Sequence, residues 1–155
     1  VRQTQTGNLD LAFDVCRHVE AETPRSSPLA REVLLATIID SPTLGMRLKA
    51  LDVVPTVEDA RLIEAVIYTL HNDPNIAVRL QALDVLSRRP LDAAAQDALL
   101  TILRDDASVQ MRLKALELLS ARQVDPEIIR RAVTETQREN DPLIWQLATE
   151  TVGGS

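Results

Sequence analysis

One cysteine, Cys16, in 155 residues excludes an internal disulfide framework and any cysteine-based zinc site of the usual spacing. It leaves the compartment open, because an exported protein can do without disulfides and a cytosolic one usually does. Glycine is nearly as scarce. After Gly7 and Gly45 the next are Gly153 and Gly154, which excludes a dinucleotide fingerprint or a P-loop, since both need glycines where backbone turns sharply against phosphate. Aromatics make up 2% of the chain, as Phe13, Tyr68 and Trp145. Apolar runs are short, as in Val33-Leu34-Leu35-Ala36, far below the ~20 residues that cross a bilayer. Basic charge is also in deficit. Seventeen Lys and Arg against 23 Asp and Glu give a net charge of −6, the wrong sign for neutralising phosphates, so nucleic acid is not expected as a partner.

What is present is 45% hydrophobic residues, over a length at which one domain hides roughly two-thirds of its unfolded surface. Self-comparison organises them. Met46-Arg47-Leu48-Lys49-Ala50-Leu51-Asp52-Val53-Val54 recurs, at an offset of 32, as Val78-Arg79-Leu80-Gln81-Ala82-Leu83-Asp84-Val85-Leu86. At a further offset of 33 it returns as Met111-Arg112-Leu113-Lys114-Ala115-Leu116-Glu117-Leu118-Leu119. Nine positions keep their chemical class in all three copies. A degenerate fourth is expected at Trp145-Gln146-Leu147-Ala148-Thr149, aligned on its apolar first residue and on Leu147.

A second helical pattern lies between the copies: Ala60, Ile63, Ile67 and Leu70, then Ala95, Leu99, Ile102 and Leu103, then Ile128, Ile129, Ala132 and Val133. Apolar residues three and four apart form a stripe along one side of a helix, so each repeat is two helices. Pro55, Pro90 and Pro126 stand near the starts of first helices, and Pro42, Pro74 and Pro142 just before second ones. No period-two alternation or Asn-Gly hairpin signal supports strands. The expected order is an N-terminal helix near 9–21 with Leu9, Ala12, Phe13, Cys16 and Val19 on one side, and a loop to residue 27. Four helix pairs follow over 28–152 (28–54, 57–88, 92–121 and 126–152), then a frayed tail, 153–155.

Repeats of this length separate by composition. Tetratricopeptide units use aromatics at fixed positions and ankyrin units a Thr-Pro-Leu-His signature, neither of which is here. Asn72-Asp73-Pro74-Asn75-Ile76-Ala77-Val78-Arg79-Leu80-Gln81-Ala82-Leu83 resembles the HEAT family, as does Asp105-Asp106-Ala107-Ser108-Val109-Gln110-Met111-Arg112-Leu113-Lys114-Ala115. The likeness is to short bacterial HEAT repeats of the phycobilisome-lyase type, over about residues 28–152. It implies an all-α fold, a right-handed α-solenoid of about four helix-pair repeats with an extra N-terminal helix. It also implies a structural ladder of Asp73, Arg79, Asp106 and Arg112, in which each loop carboxylate bonds the arginine fork of its own or the neighbouring unit, with Ser41 and Arg47, and Asn140 and Gln146, in the equivalent outer slots. A lone, partly buried charge costs more than neutral amides, so the joint loss of both charges in the last unit fits a structural role.

On the second helices Gln81, Asp84 and Arg88 form a narrow polar strip, with Leu80 and Leu83 well round the helix from Val78 and Ala82. Equivalent residues give one row of Lys49, Gln81 and Lys114 and another of Asp52, Asp84 and Glu117. In a stacked solenoid these rows line the concave surface as a candidate strip for a protein or peptide partner. The alternative is two i,i+3 ion pairs, Lys49 with Asp52 and Lys114 with Glu117, that serve solubility. Trp145 either packs beneath a terminal helix or anchors a partner. Leu9 and Phe13 either cap the first repeat or form a self-association patch, which leaves oligomeric state open.

Cys16 and His18 are two apart and point away from each other on a helix, so they share no metal ion. His71 is expected to act as a cation at a helix C-terminus. No catalytic residue, metal or cofactor is expected, and the reading is a non-enzymatic interaction module or scaffold. Asn72 to Leu86 is also similar to HEAT repeats of bacterial membrane proteins that follow an anti-sigma-type zinc finger and one transmembrane helix. That resemblance implies an extracytoplasmic sensor or regulatory arm, with the start at Val1 compatible, and leaves localisation open between cytoplasm and periplasm. HEAT-like DNA glycosylases and bilin lyases are the remaining, weaker resemblances.

Overall fold

The computed structural model describes residues 27–57 and 59–135, residues 144, 146 and 148–150, and the backbone of 2–3 and 9–10. From Pro28 onward every described element is helical: α1 (Pro28–Asp40), α2 (Leu44–Val53), a 3₁₀ turn (Val54–Thr56), α3 (Ala60–Asn72), α4 (Ile76–Ser87), α5 (Ala93–Asp105), α6 (Val109–Ala121) and α7 (Pro126–Thr134). The step from the start of a first helix to the start of its second is the same in all three hairpins: Pro28 to Leu44, Ala60 to Ile76 and Ala93 to Val109. The step onward to the next hairpin matches it from Leu44 to Ala60, but is longer by one position from Ile76 to Ala93 and from Val109 to Pro126. The unequal offsets of the sequence repeat therefore come from the links between hairpins.

Helix starts follow from local chemistry. Ser27, Asp59, Asn75, Asp92, Ser108 and Asp125 each accept a backbone N–H of the first turn through a side-chain oxygen. Such a cap contributes about 0.5–2 kcal/mol. Pro28 and Pro126 occupy the first helical position, where a missing N–H is harmless. At the end of α6, Gln123 adopts φ 56°, its N–H donates to Ser120 O, and the Val124 N–H donates to Leu119 O. This is a Schellman closure with glutamine where glycine is usual.

First helices pack on first helices (α1 on α3, α3 on α5, α5 on α7) and second helices on second (α2 on α4, α4 on α6). Leu51, Leu62, Leu70, Val78, Leu99, Leu103, Met111 and Leu119 fill the space between, each at most 1% exposed. The junctions are unequal: the first and second hairpins press closely together, whereas α3 with α5 and α4 with α6 meet more sparsely.

Two expectations change. Leu9 does not start a helix: Leu9–Asp10 (β2) pairs antiparallel with Arg2–Gln3 (β1), and the rest of the expected N-terminal segment lies outside the described residues. At the expected fourth copy the described residues do not fit the expected register. Ile144 and Ala148 are buried and stand where one more repeat step from Met111 and Ala115 falls, whereas Gln146 is exposed and bonds Glu150 at 2.9 Å. One position is about 100° of helix, so Gln146 does not hold the slot of Arg112. Trp145, Leu147 and Asn140 lie outside the described residues.

Candidate functional site

The Asp and Arg of the repeat meet across hairpins. Arg47 Nε lies 2.8 Å from Asp73 Oδ2, and Arg79 Nη1 lies 2.6 Å from Asp106 Oδ2. The carboxylate side chains are 6% and 3% exposed and the arginines 13% and 16%. Each carboxylate also organises its own loop, as Asp73 Oδ1 accepts from Asn75 N–H and Asp106 Oδ1 from Ser108 N–H. Arg47 and Arg112 donate to their own loop carbonyls, Ser41 O and Asp106 O, at 2.7 and 2.6 Å. The rungs thus join an arginine to the following hairpin's carboxylate, and Arg47 holds a rung whose partner is Asp73. With these charge-assisted bonds the buried pairs hold one hairpin to the next.

The polar rows of the second helices divide. Gln81 Nε2 on α4 donates to Asp52 Oδ1 on α2 at 2.5 Å and bridges the first junction. Lys114, in the slot of Gln81, turns instead to Glu117 on its own helix at 2.7 Å, and Asp84 pairs with Arg88 on its own helix at 2.6 Å. The expected Lys49–Asp52 pair does not form among the described residues, since Asp52 faces Gln81. With Asp84 and Lys114 both turned to their own helices, a groove of about 390 Å³ opens between α4 and α6. Leu80, Leu83, Asp84 and Ser87 line it from α4, and Gln110, Lys114, Glu117, Leu118 and Ala121 from α6.

Of the seven strip residues, Asp84, Lys114 and Glu117 border this groove, whereas Gln81 and Asp52 form the bridge beside it and Lys49 and Arg88 do not line it. Its apolar floor was missed, although the signal was in the sequence: residues 80, 83, 84 and 87 are spaced three and four apart and share a face. Leu80 and Leu83, well round the helix from Val78 and Ala82 as expected, therefore lie beside Asp84 in the groove. The pairs on the rim are exposed and contribute only a few tenths of a kcal/mol each, so they yield readily to a partner's charges.

His71 ends α3 near the second rung. Burial pushes its pKa below the ordinary imidazole value, Asp106 and Asp97 pull it up, and Arg79 pushes it down again. Burial prevails and the neutral ring is favoured, which corrects the expectation of a cation there. Among the described residues no helix is long and apolar enough to cross a membrane, and no cluster of His, Cys, Asp and Glu is arranged to hold a metal ion. No family model, curated protein or solved structure matches the chain.

Proposed function

We propose that this chain is a non-enzymatic interaction module, an α-solenoid of HEAT-like hairpins that takes a short segment of a partner protein into the groove between α4 and α6. The observation that carries this reading is the groove's make-up: leucine and alanine on its floor, and on its rim both signs of charge held in weak pairs on single helices. The matching occupant is a peptide with one or two apolar anchors flanked by mixed charge, because apolar burial supplies affinity and rim charges set register. The constant helix-to-helix step within every hairpin, the repeated Asp–Arg rungs and the layered packing support the HEAT-like solenoid.

Peptide-display selection on the immobilised chain tests this. Enriched peptides are expected to carry an apolar anchor and to lose at least tenfold in affinity on Ala121→Arg, which fills the groove from an exposed position at the end of α6. Reversing Asp84 and Glu117 to lysine is expected to change which flanking charges are selected. Peptides captured equally well by the Ala121→Arg chain would sink the proposal.

A further inference from the structure

Building on the groove reading, we infer that the occupant between α4 and α6 is the C-terminal end of a partner chain, with an apolar side chain over Leu83 and Leu118 and its terminal carboxylate on Arg122. The groove has two unlike ends. Ser87 and Ala121, the last residues of α4 and α6, both line it, and the next residue, Arg122, donates from Nη2 to Ser87 O. A cross-tie therefore stands at the end of the groove where both helices stop. Toward the other end, at Gln110 on the first turn of α6, Asp84 and Lys114 keep to partners on their own helices and leave the way open. A segment running through the groove would have to climb over the tie. A segment that ends there does not, and a chain end carries a full charge.

The sign of that charge follows from Arg122. Its residue is exposed, and among the described residues its guanidinium meets a neutral carbonyl, so its positive charge is uncompensated. The charged groups that line the groove are already matched, Asp84 with Arg88 and Lys114 with Glu117. A guanidinium carries a fork of N–H donors that suits a carboxylate, and the bond to Ser87 O leaves others to give. Helix C-termini ordinarily disfavour an anion, but here Ser87 O of α4 and Leu118 O, Leu119 O and Ser120 O of α6 already accept hydrogen bonds. An N-terminal ammonium would bring a second cation to Arg122. A terminal carboxylate complements it, with the preceding apolar residue over the leucines of the floor.

The test uses peptides displayed with a free C-terminus and selected on the immobilised full chain. The best binders are resynthesised as the free acid, as the C-terminal amide, and with a Gly-Ser extension that moves the carboxylate away. Groove binders are identified by at least a tenfold loss on Ala121→Trp, which fills the groove without adding charge. For these the free acid is expected to bind at least tenfold more tightly than the amide or the extended form. Arg122→Gln, which keeps a donor for Ser87 O but no charge, should erase that difference with helical circular dichroism unchanged, and Arg122→Lys should restore part of it. Amide and free acid binding equally to the unaltered chain would overturn the inference while the groove reading stands. So would an extended form that binds as well as the free acid through an acidic side chain, or an acid preference that survives Arg122→Gln. Binders indifferent to Ala121→Trp would sink both readings.

Discussion

The junction between the first two hairpins and the junction between the second and third come from the same repeat and share the same arginine–carboxylate rung, yet the first is bridged midway along its second helices by Gln81 and Asp52, whereas the second is tied at the end of α6, where Arg122 Nη2 donates to Ser87 O, and has a groove beside that tie. Gln81 reaches across to Asp52, whereas Lys114, in the equivalent slot, bonds Glu117 on its own helix. Glutamine donates at the end of a short side chain and finds the facing carboxylate. Lysine has an oppositely charged partner one turn along its own helix and takes that instead. The same surface slot thus bridges two helices at the first junction and pairs within one helix beside the groove at the second, while the buried rungs that hold the stack stay constant.

The largest effect should come from breaking a rung. Arg79→Ala leaves Asp106, 3% exposed, without its cross-hairpin partner, and is expected to cost about 3–5 kcal/mol in urea unfolding. Arg47→Ala should cost a similar amount at the first junction, and a loss below about 1 kcal/mol in either would show that the rungs do not tie the hairpins together. Next, Met111→Ala empties a slot that is 0% exposed and should cost about 2–5 kcal/mol. Met46→Ala at the end hairpin should cost no more than half as much, and equal costs would remove the distinction between end and interior.

The bridge itself is measured by double-mutant cycles. Asp52→Ala with Gln81→Ala should show a coupling of about 0.5–1.5 kcal/mol. Asp84→Ala with Lys114→Ala should show almost none, and comparable couplings would mean that these two residues bridge the second junction as Gln81 and Asp52 bridge the first. The smallest effect is at His71, beside the second junction. Its folded-state pKa is lowered from 6.5, so the unfolded chain binds more protons below that value. The stabilisation is fully present above about pH 6.5 and is lost as pH falls toward the folded pKa. His71→Asn should flatten this slope in unfolding experiments between pH 7 and 5, and an unchanged slope would assign it to other groups.

Much of the architecture was legible. Apolar residues three and four apart gave the alternating helices, and Pro42, Pro74 and Pro126 punctuate them where the structure does, whereas the Asp, Asn and Ser caps emerged only with the structure. The Arg79–Asp106 rung could be read in kind but not in connectivity, because Asp73 and Arg79 are close in the chain whereas the rung joins Arg47 to Asp73 and Arg79 to Asp106. At the expected fourth copy two apolar neighbours, Ile144 and Trp145, offer themselves for one slot in the sequence, and the buried one described is Ile144, one repeat step from Met111. The groove was half legible: Asp84, Lys114 and Glu117 were in the strip, and Leu80 and Leu83 were set rightly away from the buried Val78 and Ala82 but not recognised as part of the groove.

By itself the sequence determined what depends on neighbours along the chain: where helices start and stop, which side of each is apolar, and the constant rhythm within a hairpin. Those properties rest on backbone capping and on a fixed turn of about 100° per residue, and they hold in any packing. Only the tertiary structure decided which apolar slots are covered, which hairpin supplies each rung, and whether Asp84 and Lys114 face each other across a bridge or a gap. Those outcomes depend on the distance between helices far apart in the chain, and a repeat repeats its residues without repeating its neighbours.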